Sequence, residues 1–331
     1  MLAHAADVSV AFAERVIRAE FEKKLAHYCS QKPGGIDSIV NDLDSSSPPL
    51  SFKLMDSYVF LDPATDAVNF QDTQVGCSSC RPQMGRNMGC EYVNKCDCLE
   101  DHPIRKFPYK KPNNSDFWVL QMKYLEGRYV IIECNELCEC GPSCKTRVTQ
   151  KGRQVPMTIF KTPNRGWGLK CKQDLIKGQF IDLYWGEVIP VAEAQLRQES
   201  GPADKASYLF DLDKWALGNK DLEEQMLVVD GEKMGGITRF MNHSCDPNCG
   251  VYAVSYNKND YLRYNTAFFA LEDIPAGSEL TFDYLEGEEQ SDSQGDDAPF
   301  ASQASQGNTT KTRVPCHCGA RNCRGLLWRN G

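Results

Sequence analysis

The sequence predicts a mainly β protein that begins with one long helix and carries two small metal-bound modules. Three observations support this fold class. Short β-type runs alternate with turns from Pro156 to about Tyr284, apolar residues recur at helical spacing between residues 8 and 28, and sixteen cysteines are concentrated in two places. At 331 residues the chain has room for about two domains and at least one sizeable core.

Composition narrows the possible classes of function. The chain is 41% hydrophobic and 25% charged, and it contains no apolar run long enough to span a bilayer. Its N-terminus lacks the uninterrupted apolar segment of a signal peptide, so we expect an intracellular protein with no membrane partner. The net charge of −8 argues against non-specific nucleic-acid binding through a broad basic face and favours a basic partner. We also expect no direct sequence-specific DNA binding.

The first segment carries apolar residues near helical spacing, with charged residues between them. These residues are Val10, Ala13, Ile17, Phe21, Leu25 and Tyr28. We interpret the pattern as an amphipathic helix that docks on the main body and carries no chemistry. Turn residues at 33–35 and 45–49 then mark loops. Residues 1–75 are therefore expected to form an N-terminal helix and a packing segment.

The pattern becomes strand-like after the main group of cysteines. Met157–Phe160 and Phe180–Tyr184 are β-type runs, and Ala192–Glu199 is a short helix candidate. The stretch from 286 to 312 is poor in apolar residues and rich in Glu, Asp, Gln, Ser and Gly, which is typical of a flexible linker. We expect a cysteine-rich module at 76–150, a main β domain at 151–286, a flexible acidic linker at 287–312 and a metal-bound tail at 313–331.

Nine cysteines between residues 77 and 144 predict a zinc cluster. They are Cys77, Cys80, Cys90, Cys96, Cys98, Cys134, Cys138, Cys140 and Cys144. Three tetrahedral zinc ions need twelve ligand positions, and nine thiolates supply twelve if three of them bridge two metals. Such closed, all-sulfur sites are structural because no position stays open for water. The alternative is a set of disulfides or scattered buried thiols, which the absence of a secretion signal disfavours.

The tail contains a second cysteine group, at Cys316, Cys318 and Cys323. A tetrahedral zinc site needs a fourth ligand, and Cys245 is the best donor because its segment is too polar for a core. Closing this site would bring the tail, with Trp328, against the segment around Asn242. Cys29, Cys171 and Cys249 are expected to be ordinary thiols.

Several motifs occur together in a fixed order. Arg239–Cys245 reads RFMNHSC and Glu279–Tyr284 reads ELTFDY, with RGWG at 165–168, YWGE at 184–187 and YLFDLD at 208–213. Together they resemble the SET-domain protein lysine methyltransferases. The flanking cysteine groups resemble the pre-SET and post-SET modules of the histone H3 lysine-9 subfamily, in a fungal-like form of the Su(var) class without a chromodomain. The resemblance covers about residues 76 to 329.

The sequence departs from this family at three places. The first cysteine pair is spaced C-x2-C where C-x-C is common, which leaves the bridging pattern open. Lys145–Val148 reads KTRV where PNRV is usual, and Trp185 replaces an aliphatic residue.

The resemblance implies a SET-domain fold of several short sheets with a knot-like C-terminal segment, and it implies roles for individual residues. The catalytic group would comprise Tyr284, Tyr184 and Phe282. S-adenosylmethionine would be bound by Arg165, Gly166, Trp167, Tyr208, Arg239, Asn242, His243 and the lid Trp328. An extended substrate would pair with the strand containing Leu209, Asp211 and Asp213. Alternatives are that His243 is a metal ligand or a base, and that Asp211 and Asp213 are simply solvated charges.

The implied reaction is S-adenosylmethionine-dependent methylation of lysine 9 of histone H3, in heterochromatin formation and gene silencing. Phe282 leaves apolar space where tyrosine would add a hydroxyl, so we expect the product to reach the trimethyl state. The histone H3 tail and chromatin would be partners, with a location in the nucleus on chromosomes. Two alternatives stay open: an inactive zinc-cluster module that recruits partners, and a methyltransferase that acts on a non-histone protein.

Overall fold

The computed structural model describes residues 2–30, 34, 37–62, 74–81, 90, 96–99, 102–104, 106–113, 115–201, 208–216, 219–285 and 314–327. In the first helix the side chains of residue 10 and of residues 12 onward are described. The predicted linker at 286–312 and the predicted lid Trp328 lie outside the described residues.

The described residues contain four α-helices, of which the first is by far the longest. In chain order they are α1 (Leu2–Cys29), α2 (Met122–Gly127), α3 (Val191–Ser200) and α4 (Lys220–Glu223). The helix predicted over residues 8 to 28 is confirmed and begins six residues earlier. Its packing face is shorter than the pattern indicates: Phe21 and Leu25 are buried, whereas Val10 and Ile17 are exposed. Among the described side chains of α1, the buried apolar ones therefore lie from Phe21 onward. The short helix predicted at 192–199 is confirmed as α3.

The strands of the described part are short. In chain order they are β1 (Ser38–Val40), β2 (Lys53–Leu54), β3 (Val59–Phe60), β4 (Tyr109–Lys110), β5 (Val119–Leu120), β6 (Ile131–Ile132), β7 (Met157–Lys161), β8 (Trp167–Cys171), β9 (Phe180–Leu183), β10 (Glu187–Pro190), β11 (Leu209–Asp211), β12 (Leu227–Asp230), β13 (Met234–Gly235), β14 (Asn242–His243), β15 (Cys249–Ser255), β16 (Asn265–Ala270) and β17 (Thr281–Phe282). The two strands predicted from Met157 and from Phe180 are confirmed as β7 and β9.

The sheets of the described residues are small, and they combine neighbouring strands with strands distant in sequence. Two have four strands, in the orders β6-β15-β16-β9 and β11-β12-β10-β3, and one has three, in the order β1-β7-β8. The pairs β13-β2, β14-β17 and β4-β5 form two-stranded sheets. Each of β1, β2 and β3 pairs in parallel with a strand of the main domain. The segment before residue 75 therefore completes the sheets of the main domain, and the mainly β architecture predicted from the sequence is confirmed.

A buried ion pair fixes the N-terminal segment to the main domain. Arg153 is 1% exposed and donates from both Nη atoms to the carboxylate of Asp37, at 2.7 and 2.6 Å. Its Nε lies 3.3 Å from Asp182 in β9. Asp37 also accepts the Met157 amide at 2.7 Å. The charges are paired and hydrogen-bonded, which a buried pair requires. Asp182 stands two residues before Tyr184, so this network supports the strand that carries a predicted catalytic residue.

One parallel pairing brings the two most diagnostic motifs together. β14 lies beside β17, with Asn242 opposite Thr281 and His243 opposite Phe282. The Ser244 amide extends the ladder by donating to the Phe282 carbonyl at 3.0 Å. This short sheet therefore places residues 242–245 against residues 281–284. Among the helices of the described residues, none combines the length and apolar character needed to cross a membrane.

Candidate functional site

The nine cysteines of the first group converge on one buried cluster. Their sulfur atoms form four overlapping sets of four, and within each set all atoms lie within 4.8 Å of one another. All sixteen cysteines of the chain are free thiols in the structure. Cys77 and Cys134 each belong to three of the four sets. Their sulfur atoms therefore occupy the middle of the cluster, where a ligand that bridges two metals has to lie.

The sulfur spacing fits zinc and excludes disulfide bonds between the pairs measured. Cys98 and Cys138 have their Sγ atoms 3.5 Å apart, and Cys90 and Cys134 have theirs 3.6 Å apart. A zinc ion bound to four thiolates at about 2.3 Å holds its sulfur ligands about 3.8 Å apart, whereas a disulfide needs about 2.05 Å. Nine buried thiols packed this closely suit metal ligation far better than they suit an apolar core.

The tail cysteines meet Cys245, as the spacing argument predicts. Cys245, Cys316, Cys318 and Cys323 form a set within 4.8 Å, with the Sγ atoms of Cys245 and Cys316 3.9 Å apart. The side-chain amide of Asn322 donates to the Cys245 carbonyl at 2.9 Å, and the backbone amide of Arg324 donates to the Cys245 sulfur at 3.3 Å. This set is only half-buried, in contrast with the first cluster. Cys29, Cys171 and Cys249 belong to none of these sets.

The three predicted catalytic residues lie in one aromatic cluster. The ring of Phe282 lies 4.7 Å from that of Tyr284 and 5.6 Å from that of Phe210, measured between ring centroids. Phe210 lies 4.3 Å from Tyr184, and Phe268 closes the group at 5.0 Å from Phe282. Tyr184 and Phe282 are buried. The cluster therefore consists of aromatic rings, with two phenol oxygens as their polar groups.

Both phenol hydroxyls are held by backbone carbonyls. Tyr184 donates its proton to the Tyr208 carbonyl at 3.0 Å, and Tyr284 donates to the Met241 carbonyl at 2.9 Å. Because each proton is committed to a carbonyl, each oxygen can present only lone pairs to a third group. Burial raises the pKa of both phenols above the ordinary value of 10. The two oxygens are therefore fixed hydrogen-bond acceptors and poor proton-abstracting bases.

His243 connects β14 to the main chain of Tyr284. Its Nδ1 accepts the Tyr284 amide at 3.1 Å, so the ring proton is on Nε2, which lies 3.2 Å from the Cys245 sulfur. Burial lowers the pKa of His243 to about 4, which Asp283 opposes and the cations Arg324 and Arg165 reinforce. The imidazole is therefore neutral at neutral pH, and it orients the segment that carries Tyr284.

Several of the residues predicted to hold the cofactor contact one another. Arg239 stacks on the ring of Tyr208, 4.5 Å from its centroid, and on the ring of Phe52 at 4.8 Å. Its Nε donates to the Gly231 carbonyl at 3.0 Å. Asn242 donates to the Trp167 carbonyl at 3.3 Å. These contacts fix the side chains before a ligand arrives.

The turn between β7 and β8 carries two more of the residues predicted to hold the cofactor, Arg165 and Gly166. Arg165 donates to Glu279 at 2.6 Å, and Asn242 donates to the other oxygen of Glu279 at 2.9 Å. Gly166 has φ +68°, which favours glycine, and a Cβ there would meet no described atom within 4 Å. Gly166 is exposed, so the turn leaves open space beside the polar groups of Arg165, Asn242 and Glu279.

The predicted substrate strand is an edge strand. β11 pairs with β12 and stands at the end of its four-stranded sheet as described. Leu209 packs toward the core of Ile189, Ala194 and Val228. Asp211 and Asp213 are buried rather than solvated, and Oδ2 of Asp211 has no hydrogen-bond partner among the described residues. Burial, followed by the neighbouring Asp213, raises the pKa of Asp211 to about 7.

Sequence reasoning missed several residues of this site. Phe52 stacks on Arg239 from the N-terminal segment, and Phe210 belongs to the aromatic cluster. Glu279 joins Arg165 to Asn242, and Arg324 donates to both oxygens of Asp283, at 2.8 and 2.5 Å. Phe210 and Glu279 lie inside quoted motifs and could have been included on that basis. Phe52 and Arg324 have no local signal, since only tertiary structure places them.

Comparison with known proteins gives consistent matches. A family model described as SET domain matches residues 166–285, and one described as Pre-SET motif matches residues 31–147. The histone-lysine N-methyltransferase, H3 lysine-9 specific dim-5, of Neurospora crassa is 35% identical over 330 residues, covering 93% of this chain and 94% of that protein. An H3 lysine-9 specific histone-lysine N-methyltransferase of Schizosaccharomyces pombe is 36% identical, covering 94% of this chain and 58% of that protein.

A solved structure agrees with these matches. The structure of the Neurospora SET domain protein DIM-5, a histone lysine methyltransferase, superimposes with a TM-score of 0.67 at 37% identity. The match covers 77% of this chain and 96% of that one.

Proposed function

The chain belongs to the SET-domain family of histone-lysine N-methyltransferases, and on that basis we propose that it methylates lysine 9 of histone H3 with S-adenosylmethionine. The observation that carries the proposal is the aromatic cluster, in which the hydroxyls of Tyr184 and Tyr284 are both fixed as acceptors beside β14. This cluster would line the substrate channel. Such a channel suits a lysine amine.

The channel would prepare the amine for attack. A lysine with an ordinary pKa of about 10.4 has to lose its proton before it can accept a methyl group, and desolvation between aromatic rings lowers that pKa. The lone pairs of the Tyr184 and Tyr284 oxygens would accept hydrogen bonds from the amine and orient it. S-adenosylmethionine would supply the methyl group. Positioning and exclusion of water would then account for most of the catalysis.

The cofactor would be held by the residues that Glu279 and Arg239 organise. Arg165, Gly166, Trp167, Tyr208, Arg239, Asn242 and His243 would form its pocket, and Trp328 would cover it. Glu279 lies within reach of two of these side chains, so it would keep Arg165 and Asn242 in place. We regard Glu279 as a supporting residue of the pocket because it contacts the pocket residues rather than the channel.

Substrate would bind along the free edge of β11. An extended peptide can add there as a strand, with main-chain hydrogen bonds giving affinity and side chains giving specificity. The buried Asp211 lacks a hydrogen-bond partner for Oδ2 among the described residues, and burial beside Asp213 raises its pKa to about 7. A basic side chain of the histone tail would pair with this carboxylate. The tail and chromatin are therefore the proposed partners, in the nucleus.

Zinc would have a structural role at both cysteine groups. Three ions would occupy the nine-cysteine cluster, with Cys77 and Cys134 the best candidates for bridging ligands, and one ion would join Cys245 to the tail. We accordingly propose a pre-SET module at 76–150, a SET domain at 151–286 and a post-SET tail at 313–331. The metals would hold the channel walls in place and take no part in the chemistry.

Methylation would reach the trimethyl state and serve heterochromatin formation and gene silencing. Phe282 presents only an apolar ring to the channel, at 3% exposure. No extra hydroxyl would then hold a water molecule in the space that successive methyl groups need.

Radiolabelled S-adenosylmethionine tests the proposal. Zinc-replete protein should transfer label to histone H3 among the core histones and to an H3 tail peptide. Tyr284→Phe should transfer at least about a hundredfold less, since it removes one preorganised polar group. An absence of label on every histone would overturn the proposal.

A further inference from the structure

The post-SET tail contributes one charged side chain to the segment that carries Tyr284. Arg324 follows the ligand Cys323 directly, and its guanidinium binds Asp283 in a bidentate arrangement, with Nη1 to Oδ2 at 2.8 Å and Nη2 to Oδ1 at 2.5 Å. Both side chains are largely buried, at 13% and 16% exposure. A planar bidentate contact of this kind is directional as well as strong.

Asp283 and His243 contact the main chain that follows Asp283. Its Oδ1 accepts the Leu285 amide at 2.9 Å and lies 3.5 Å from Nδ1 of His243. That same Nδ1 accepts the Tyr284 amide at 3.1 Å. The carboxylate of Asp283 and the imidazole of His243 therefore fix the main chain of residues 284 and 285 from one side. Arg324 fixes that carboxylate in turn.

The tail thus reaches Tyr284 by two routes. One passes through Cys245, whose sulfur lies 3.2 Å from Nε2 of His243. The other passes through Arg324 and needs no metal ligand in the contact itself. Zinc can bring the tail to Cys245, but it cannot by itself set the rotation of the tail about that site.

We propose that Arg324 is a positioning residue for methyl transfer: its ion pair with Asp283 sets the orientation of the docked tail and holds the Tyr284 main chain in register with His243. This inference rests on the proposed function, because it assigns Arg324 an effect on Tyr284 as a channel residue. The role is separate from metal retention, which belongs to the four cysteines.

Four variants test the role: Arg324→Gln, Arg324→Lys, Asp283→Asn and the double variant Asp283→Asn with Arg324→Gln. Arg321→Gln is the matched control, since Arg321 is exposed in the same segment. Each protein is assayed as the full chain for zinc content, for kcat and KM on an H3 tail peptide, and for amide hydrogen exchange in residues 282–285.

Arg324→Gln should keep the zinc content of the wild type and lower kcat about 10- to 100-fold, the effect typical of losing a supporting contact. KM for the peptide should change little, because β11 belongs to a different sheet. Exchange at the Tyr284 amide should accelerate. Arg324→Lys should recover part of kcat because it keeps the charge without the planar fork. The kcat of the double variant should be no lower than that of the less active single variant.

Three results would overturn the inference. The first is a kcat for Arg324→Gln within twofold of that for Arg321→Gln. The second is a loss of zinc that accompanies the loss of kcat, since Arg324 would then act through metal retention. The third is a fold loss of kcat in the double variant that equals the product of the losses in Asp283→Asn and Arg324→Gln, because the two residues would then act independently. The exchange measurement needs no turnover, so it tests Arg324 even if the wild type methylates no histone.

Discussion

Asp211→Asn should stabilise the free protein and weaken its activity. The carboxylate is buried next to Asp213, and its pKa rises from the ordinary 3.8 to about 7. A raised pKa means that the fold binds the proton more tightly than the unfolded chain does. The contribution of Asp211 to folding stability is therefore fully present below about pH 4 and is lost as the pH rises to about 7.

The size of the effect follows from the two pKa values. Their difference is worth about 4 kcal/mol once the pH exceeds 7, at about 1.4 kcal/mol per tenfold change. Asparagine carries no charge and removes this cost, while its newly buried amide group costs about 1 kcal/mol. The net gain should be about 3 kcal/mol at pH 8.5. At pH 5.5, which is below the raised pKa, Asp211 is already mostly protonated in the folded protein. The stability gained by the substitution should therefore be about 2 kcal/mol smaller than at pH 8.5.

Thermal melting of both proteins at the two pH values measures this difference. Asp221→Asn is the control, because Asp221 is exposed and its loss should leave the melting temperature nearly unchanged at either pH. Activity should move in the opposite direction: Asp211→Asn should raise KM for an H3 tail peptide about tenfold or more, since a charged hydrogen bond is worth about 1.5–3 kcal/mol. An equal change in melting temperature at both pH values would refute the reasoning, as would a destabilised variant at pH 8.5.

Three further predictions concern the channel, the metals and the buried ion pair. Phe282→Tyr should shift the product from trimethyl toward monomethyl lysine because the added hydroxyl can hold a water molecule or the amine; unchanged product ratios by mass spectrometry would contradict this. Prolonged chelation should release zinc and abolish activity, and added zinc should restore it, with released metal measured by a colorimetric dye; full activity in metal-free protein would refute a structural role. Asp37→Asn should destabilise the protein by about 3–5 kcal/mol in denaturant unfolding because it leaves Arg153 buried with a weaker partner, and an unchanged midpoint would show that Asp182 suffices.

The cysteine groups could be predicted from the sequence because metal ligation has few solutions. A tetrahedral ion needs four ligands, so the three tail cysteines required a fourth, and Cys245 does lie with them. The strands at Met157 and Phe180 were predicted for a similar reason. Their apolar runs are long enough to carry a pattern, whereas β2 and β3 have two residues each and carry none.

The remaining features depend on contacts between distant residues. The part of α1 before Phe21 has the same apolar spacing as the part after it, so the pattern could not show that Val10 and Ile17 stay exposed. The pairing of β1 with β7 joins residues 120 positions apart, and the ion pair of Arg324 with Asp283 crosses the linker. No local propensity encodes such contacts, and the resemblance to a family names motif residues rather than the side chains that support them.

The most direct test of the proposed reaction is mass spectrometry of H3 tail peptides incubated with zinc-replete protein and S-adenosylmethionine. An unmodified peptide should gain one, two and finally three methyl groups, all on lysine 9. A peptide with arginine in place of lysine 9 should gain none, although lysine 4 remains available. Methylation that persists without lysine 9, or no methylation of either peptide, would contradict the proposed function.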